Sequence, residues 1–242
     1  MKDKVAVITG AAVGIGRATA MVMAQRGAKL VLLDMDAEGL EKLRAALSTQ
    51  TEVVAYTCDI SDEHAVRCCI REAGERFRAL DVLVNCAALW RDRSDFADLD
   101  MALWRRYFDV NVTGAAVVTQ AVLPFMRKNQ WGRIIHVASV AGVYGNKRMA
   151  CYSATKAAVI AFVKALAKEV AKEGITVNAV SPGSVSTSQN EDIDFVDTTE
   201  LCYMGRTGSD RENAELICFL ASDAAAYISG QNIQIDGCRK KI

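Results

Sequence analysis

The sequence predicts a single-domain α/β protein built on a doubly wound parallel sheet of about seven strands, with helices on both faces. Three observations predict it. Short β-branched runs alternate with long amphipathic stretches along the whole chain. The strand-like runs, Val5-Ala6-Val7-Ile8 and Leu30-Val31-Leu32-Leu33 among them, are apolar without a polar face, as a sheet covered on both sides requires. A glycine-rich turn joins the first such run to the first helical stretch, the arrangement that binds phosphate in open α/β sheets.

Each element follows from its own pattern. Strands are expected at 4–9, 29–33, 52–57, 82–84, 133–138, 176–180 and 232–235. Helical periodicity covers 14–26, 37–47, 61–77, 101–129, 150–173 and 210–222. Only two prolines occur, Pro124 and Pro182, and neither lies in a Pro-rich linker. No repeat or low-complexity tract divides the chain, so 1–242 is read as one domain, with 184–203 as a lid loop inside it.

Composition narrows the function. The 242 residues are 51% hydrophobic, enough for a large core, and 29 basic residues balance 29 acidic ones. That balance removes the basic excess expected of a nucleic-acid or acidic-membrane binder. The longest uncharged stretch, Val110 to Met126, contains Asn, Thr, Gln and Pro and makes a poor membrane span. No leader pattern opens the chain, and the protein is expected to be cytoplasmic. Eight cysteines lack any C-x-x-C pair, and only His64 and His136 add imidazoles, so no metal site is expected. The thiols are read as small buried hydrophobes.

In these sheets ligands sit at the carboxyl ends of the strands. The first strand ends in Thr9-Gly10-Ala11-Ala12-Val13-Gly14-Ile15-Gly16, where glycines admit a tight turn and a close diphosphate, and the following helix offers free N–H groups. The plainer reading is a turn that needs glycine for its backbone. Asp34, 24 residues after Gly10, ends the second strand where an acid can bond ribose hydroxyls. Its carboxylate would repel a 2′-phosphate, and neither Val13 nor Met35 supplies a cation, which favours NAD over NADP. Alternatively Asp34 or Asp36 caps the next helix. Asp59-Ile60 follows the third strand: Asp59 either bonds an adenine amino group or caps the helix beginning near Ser61. Asn85-Cys86-Ala87-Ala88 follows the fourth, and its small residues admit a cofactor against the backbone.

Tyr152 and Lys156 lie one turn apart on a predicted helix, so an ammonium can sit near a phenol and lower its pKa toward the working range. That pair is a candidate proton shuttle for a carbinol or carbonyl oxygen. The same spacing also arises by chance on surfaces. Ser139, directly after the fifth strand, adds a hydroxyl for the same oxygen, or else serves the turn before Gly142.

Together these residues closely resemble the short-chain dehydrogenase/reductase family, a Rossmann-type fold, over essentially the whole chain. Thr9 to Gly16 matches the family's glycine turn, Asp59 its adenine-binding acid, and Asn85 to Ala88 its fourth-strand motif. Ser139, Tyr152 and Lys156 match catalytic positions, and Asn111 the member that orders a proton-relay water. Pro182-Gly183 matches the turn by the nicotinamide, with Val185 and Thr187 placed for its carboxamide. Asp236-Gly237 matches the C-terminal signature. Cys86, Ala88 and Cys238 depart from the pattern, replacing Asn, Gly and Gly.

The resemblance implies reversible hydride transfer between NAD(H) and a secondary alcohol or ketone, with Lys156 also bonding the nicotinamide ribose. A polyol, sugar derivative or hydroxysteroid is the substrate class first in view. The alternative is an NADPH-dependent carbonyl or 3-oxoacyl-carrier reductase, which Asp34 argues against. A non-catalytic cofactor-binding protein is a third reading. Trp90, Ala141, Tyr144, Met149 and Ser184 are the candidate pocket residues. Five acids and no base mark the lid between Ser184 and Tyr203, read as a solvated face. The resemblance further implies a homotetramer.

Overall fold

The computed structural model describes residues 1–186 and 201–240. Among them, the main sheet is built from β1 (Val5–Thr9), β2 (Lys29–Asp34), β3 (Val53–Thr57), β4 (Val82–Asn85), β5 (Gly132–Val137), β6 (Ile175–Pro182) and β9 (Asn232–Ile235), in the order β3-β2-β1-β4-β5-β6-β9 and parallel throughout. A second, two-residue parallel pair joins β7 (Val185–Ser186) to β8 (Gly208–Ser209). The helices are α1 (Gly14–Gln25), α2 (Ala37–Leu47), α3 (Glu63–Phe77), α4 (Met101–Phe108), α5 (Ala115–Asn129), α6 (Ala141–Tyr144), α7 (Ala150–Val170) and α8 (Asp210–Leu220).

The unalternating strand pattern has the expected cause. Val5 and Val7 of β1 enter one apolar layer with residues of α3, α5 and α7, while Ala6 and Ile8 enter the opposite layer with those of α1, α2 and α8. Both faces of each central strand are therefore buried. The helical stretches Met101–Asn129 and Ala150–Glu173 reach the length and hydropathy of a membrane span. Part of their apolar surface is taken up by the core over the sheet, where Val118, Val122, Val159 and Val163 are buried.

Strand order reverses between β1 and β4, which opens a crevice above their carboxyl ends. Thr9 pairs with Asn85 at that point. The one long helix expected over 101–129 is instead two helices separated by a π-helical turn, Asp109–Gly114. The interruption follows from Asn111, whose side chain leaves the helix surface to bond the backbone of Leu89. Such widened turns collect at functional sites because they re-aim one residue.

Candidate active site

The phosphate-binding turn is built as its glycines suggest. Gly10 and Gly14 take φ of 63° and 53°, in the left-handed region. A Cβ on Gly16 would lie 2.0 Å from the Gly10 carbonyl oxygen, so the helix closes onto the turn only because residue 16 has no side chain. The first turn of α1 has no side-chain cap and no acid. Its unpaired N–H groups and positive dipole end are left for an anion. The residues present therefore fit a dinucleotide diphosphate.

Asp34 does not cap α2. That role falls to Asp36, whose carboxylate accepts from Gly39 N at 3.0 Å. Asp34 accepts from Ala12 N at 2.9 Å and from Asp36 N at 3.0 Å, one bond per oxygen. Each oxygen keeps a lone pair for a ribose hydroxyl, and the carboxylate is anchored to the glycine turn itself. Met35 is exposed beside it. Asp59 is not a cap either: Asp62 caps α3 by accepting from Ala65 N at 3.0 Å. Asp59 is instead bound to Ser61 and to Arg106 of α4. Ile60 has its side chain in the core, leaving only backbone to meet a ligand.

Burial takes the side chain of one expected cofactor residue out of the crevice. Asn85 is 4% exposed. Its side chain lies within hydrogen-bond reach of Thr9, Thr119 and His136, an interior network below the crevice floor. Above it, Ala87 N donates to Thr9 Oγ1 at 3.3 Å, and the Ala87 backbone packs on Gly10. His136 is fully buried, and burial, reinforced by the Lys156 charge, pushes its imidazole down to about 3. It is a neutral partner in that network.

Ser139, Tyr152 and Lys156 converge beyond β5. The Ser139 hydroxyl accepts from Ala141 N at 3.1 Å, which leaves its proton free, and it lies near enough to the Tyr152 phenol to favour the phenolate. Lys156 Nζ lies 5.7 Å from the Tyr152 ring centre and donates to the Val137 carbonyl at 2.7 Å. A Cβ on Gly142 would meet the Lys156 backbone at 2.6 Å, so α6 can rest on α7 at this level only through glycine.

The electrostatics differ from expectation. Burial raises the Tyr152 pKa, and the Ser139 hydrogen bond opposes it without reversing it. Lys156, 3% exposed, is itself lowered by burial to about 8. One of its three donors is taken by Val137, and in this state burial rather than the ammonium sets the direction of the phenol's shift. The pair stands poised with Tyr152 protonated.

Asn111 is also recast. Its Oδ1 accepts from Leu89 N at 2.7 Å, and its Nδ2 donates to the Leu89 carbonyl at 2.9 Å and to Thr155 Oγ1 at 3.1 Å. Thr155 donates in turn to the Tyr152 carbonyl at 2.8 Å. The Asn111 side chain thus ties the loop after β4 to the helix carrying Tyr152, with one acceptor site left on Oδ1. The sequence reading missed Thr155. Its place inside Tyr-x-x-x-Lys was the available signal.

The candidate pocket residues separate. Tyr144 is exposed and Trp90 half-buried, both beside the crevice. Ala141 is 1% exposed and offers no surface to a substrate. Met149 is buried and turns toward Asp92 and Tyr107, whose hydroxyl donates to Asp92 at 2.8 Å. Ser184 lines a cavity of about 360 Å³ with Cys202, Asp236 and Arg239. Pro182 ends β6, and Gly183 N donates to the Ile235 carbonyl at 3.0 Å. Val185 lies in β7. Thr187 and most of the expected lid, residues 187–200, lie outside the described residues.

The cysteines are not uniformly buried. Cys58, Cys151, Cys202 and Cys218 are, whereas Cys238 is exposed, and all eight are free thiols. Cys238 takes φ of 61°, the left-handed conformation that explains why glycine is the expected residue there.

A crevice that can hold a dinucleotide beside a Ser–Tyr–Lys cluster defines an oxidoreductase of the short-chain dehydrogenase/reductase family, and the chain belongs to that family. A family model described as enoyl-(acyl carrier protein) reductase matches residues 10–238. The chain is 38% identical to a 3-oxoacyl-[acyl-carrier-protein] reductase of Thermotoga maritima, over 98% of each chain. Levodione reductase superposes with a TM-score of 0.93 at 31% identity, over 98% of this chain and 97% of that one. NAD+-bound xylitol dehydrogenase superposes at 0.92 and 31%, over 98% of each.

Proposed function

We propose that this protein interconverts a secondary alcohol and its ketone using NAD(H). The observation that carries the reaction is the convergence of the Ser139 hydroxyl, held by Ala141 N, the Tyr152 phenol and the Lys156 ammonium beside its ring. A bound nicotinamide supplies the hydride acceptor or donor. Tyr152, protonated in this state, gives its proton to the carbonyl oxygen in reduction and takes it back in oxidation. Ser139, its Oγ fixed by Ala141 N, donates to the same oxygen and stabilises charge developing there. Lys156 places a cation where a phenolate forms. Asn111 and Thr155 hold the helix in register with the loop after β4.

Asp34 supports NAD, since its carboxylate stands where a 2′-phosphate would need a cation. The likeness to NAD+-bound xylitol dehydrogenase is consistent with that preference and with a polyol substrate. A second reading, 3-oxoacyl-carrier reduction, is favoured by the relative from Thermotoga maritima. A panel of secondary alcohols and 3-oxoacyl thioesters, each tested with NAD(H) and NADP(H), separates the two. Alcohol-dependent NADH formation supports the first. Thioester reduction confined to NADPH overturns it. Cofactor binding with no turnover on either panel supports a non-catalytic role.

A further inference from the structure

We propose that Arg106 is a positioning residue for the adenine end of the crevice: its guanidinium fixes the Asp59 carboxylate so that a single acceptor site on Oδ2 remains for the base's amino group. The proposal deepens the reading above and rests on it, because it presumes that the crevice holds NAD(H).

The argument starts from strand register. Asp34 pairs with Thr57, and the ladder continues with Cys58 N donating to the Asp34 carbonyl at 2.8 Å. Asp59 therefore stands just past Asp34 at the tip of the neighbouring edge strand. A ribose held by Asp34 would have its base within reach of that tip.

The carboxylate there is almost fully committed. An ionised carboxylate offers about four acceptor sites. Asp59 Oδ1 accepts from Ser61 N at 2.9 Å and from Ser61 Oγ at 2.7 Å. Oδ2 accepts from Arg106 Nη2 at 2.7 Å. Arg106 Nη1 donates to Ser61 Oγ at 2.7 Å, which closes a ring of three side chains. The remaining site, on Oδ2, has its direction fixed by that ring. Burial raises the Asp59 carboxyl, but the bonds from Arg106 and Ser61 outweigh it and hold the group ionised, hence acceptor-only.

Stability alone is a weak reason for this ring. The Arg106 and Asp59 side chains are 43% and 28% exposed, and ion pairs so exposed contribute little to folding. A fixed acceptor instead discriminates. It accepts from the exocyclic amine of adenine and repels the oxygen that replaces that amine in hypoxanthine.

The test is calorimetric binding to the full chain, with NAD+ and nicotinamide hypoxanthine dinucleotide as probes. Wild type should bind NAD+ about tenfold or more tightly than the analogue, the scale of one hydrogen bond to a charged acceptor. Arg106→Gln should weaken NAD+ about tenfold and leave the analogue within about twofold, so the ratio collapses. Arg106→Lys keeps one bond to Asp59 but cannot make the fork, and should fall between them. Equal weakening of both dinucleotides, or a wild-type ratio in the variants, overturns the proposal. Should Arg106→Gln fail to fold, the Arg106→Lys ratio decides alone. If wild type binds neither dinucleotide, the NAD(H) reading fails and the role of Arg106 falls with it. Wild-type binding with an unmoved ratio sinks only the role of Arg106.

Discussion

Replacing Lys156 by methionine exposes the cost of building this site. Burial lowers the Lys156 ammonium from 10.5 to about 8. At about 1.4 kcal/mol per pKa unit, keeping that charge inside the fold costs about 3 kcal/mol at neutral pH. Methionine fills similar volume without the charge. It also strands the Val137 carbonyl, now bonded by Lys156 at 2.7 Å. An unpaired buried acceptor costs about 1–3 kcal/mol. Lys156→Met should therefore be more stable than wild type by up to about 2 kcal/mol, or up to about 8 °C for a chain of this size, while losing turnover.

The pH dependence has a definite sign. The folded pKa lies below the unfolded one. Below pH 8 both states carry the proton and the full cost applies. Between pH 8 and 10.5 the folded state has released its proton and the unfolded state has not, so wild-type stability rises with pH. The gap between variant and wild type should be widest at pH 7 and narrow through that window. Urea unfolding followed by circular dichroism at several pH values measures it. A Lys156→Met protein less stable than wild type at pH 7, or a gap that does not change with pH, would refute the reasoning.

Three further outcomes are expected. Tyr152→Phe should cut turnover by about 10²–10⁴-fold, the usual worth of a positioned acid–base, with dinucleotide Kd within about twofold; undiminished turnover removes Tyr152 from the reaction. His136, held at about 3 by burial and the Lys156 charge, refuses a proton that the unfolded chain accepts below pH 6.5. Stability should thus fall as pH drops through 6.5 toward 3, by about 2 kcal/mol at pH 5. His136→Asn should lose less between pH 7 and 5, and equal acid sensitivity in the two proteins contradicts this. Cys238→Gly relieves a left-handed backbone at φ 61°. It should stabilise by about 1 kcal/mol, seen as a rise in Tm of about 2–4 °C; a fall in Tm means that the thiol's contacts outweigh the strain.

Local patterns fixed the elements well because their causes are local. The apolar runs of β1 and β2 are unalternating since each strand is covered twice. The turn from Gly10 to Gly16 is legible because a Cβ is forbidden there. Of the two readings left open for Asp59, the cap falls instead to Asp62: both acids precede α3, and only the backbone path decides which carboxylate reaches Ala65 N. The break in the helix after Phe108 was invisible for a different reason. It depends on Asn111 finding Leu89, 22 residues earlier in the chain and adjacent only after folding.

The sequence by itself determined the alternation of strands and helices, the glycine turn, and the presence of Ser139, Tyr152 and Lys156 at positions where a crevice would form. Those follow from short-range sterics and from side-chain periodicity. Only the tertiary structure decided the electrostatic state of the cluster. Spacing placed an ammonium near a phenol, but pKa values follow from desolvation and from the nearest partner, and those are set by the strands beneath. Val137 holds the ammonium, and burial keeps the phenol protonated. Likewise Arg106 meets Asp59 across 47 residues, a contact made by folding α4 over the tip of β3.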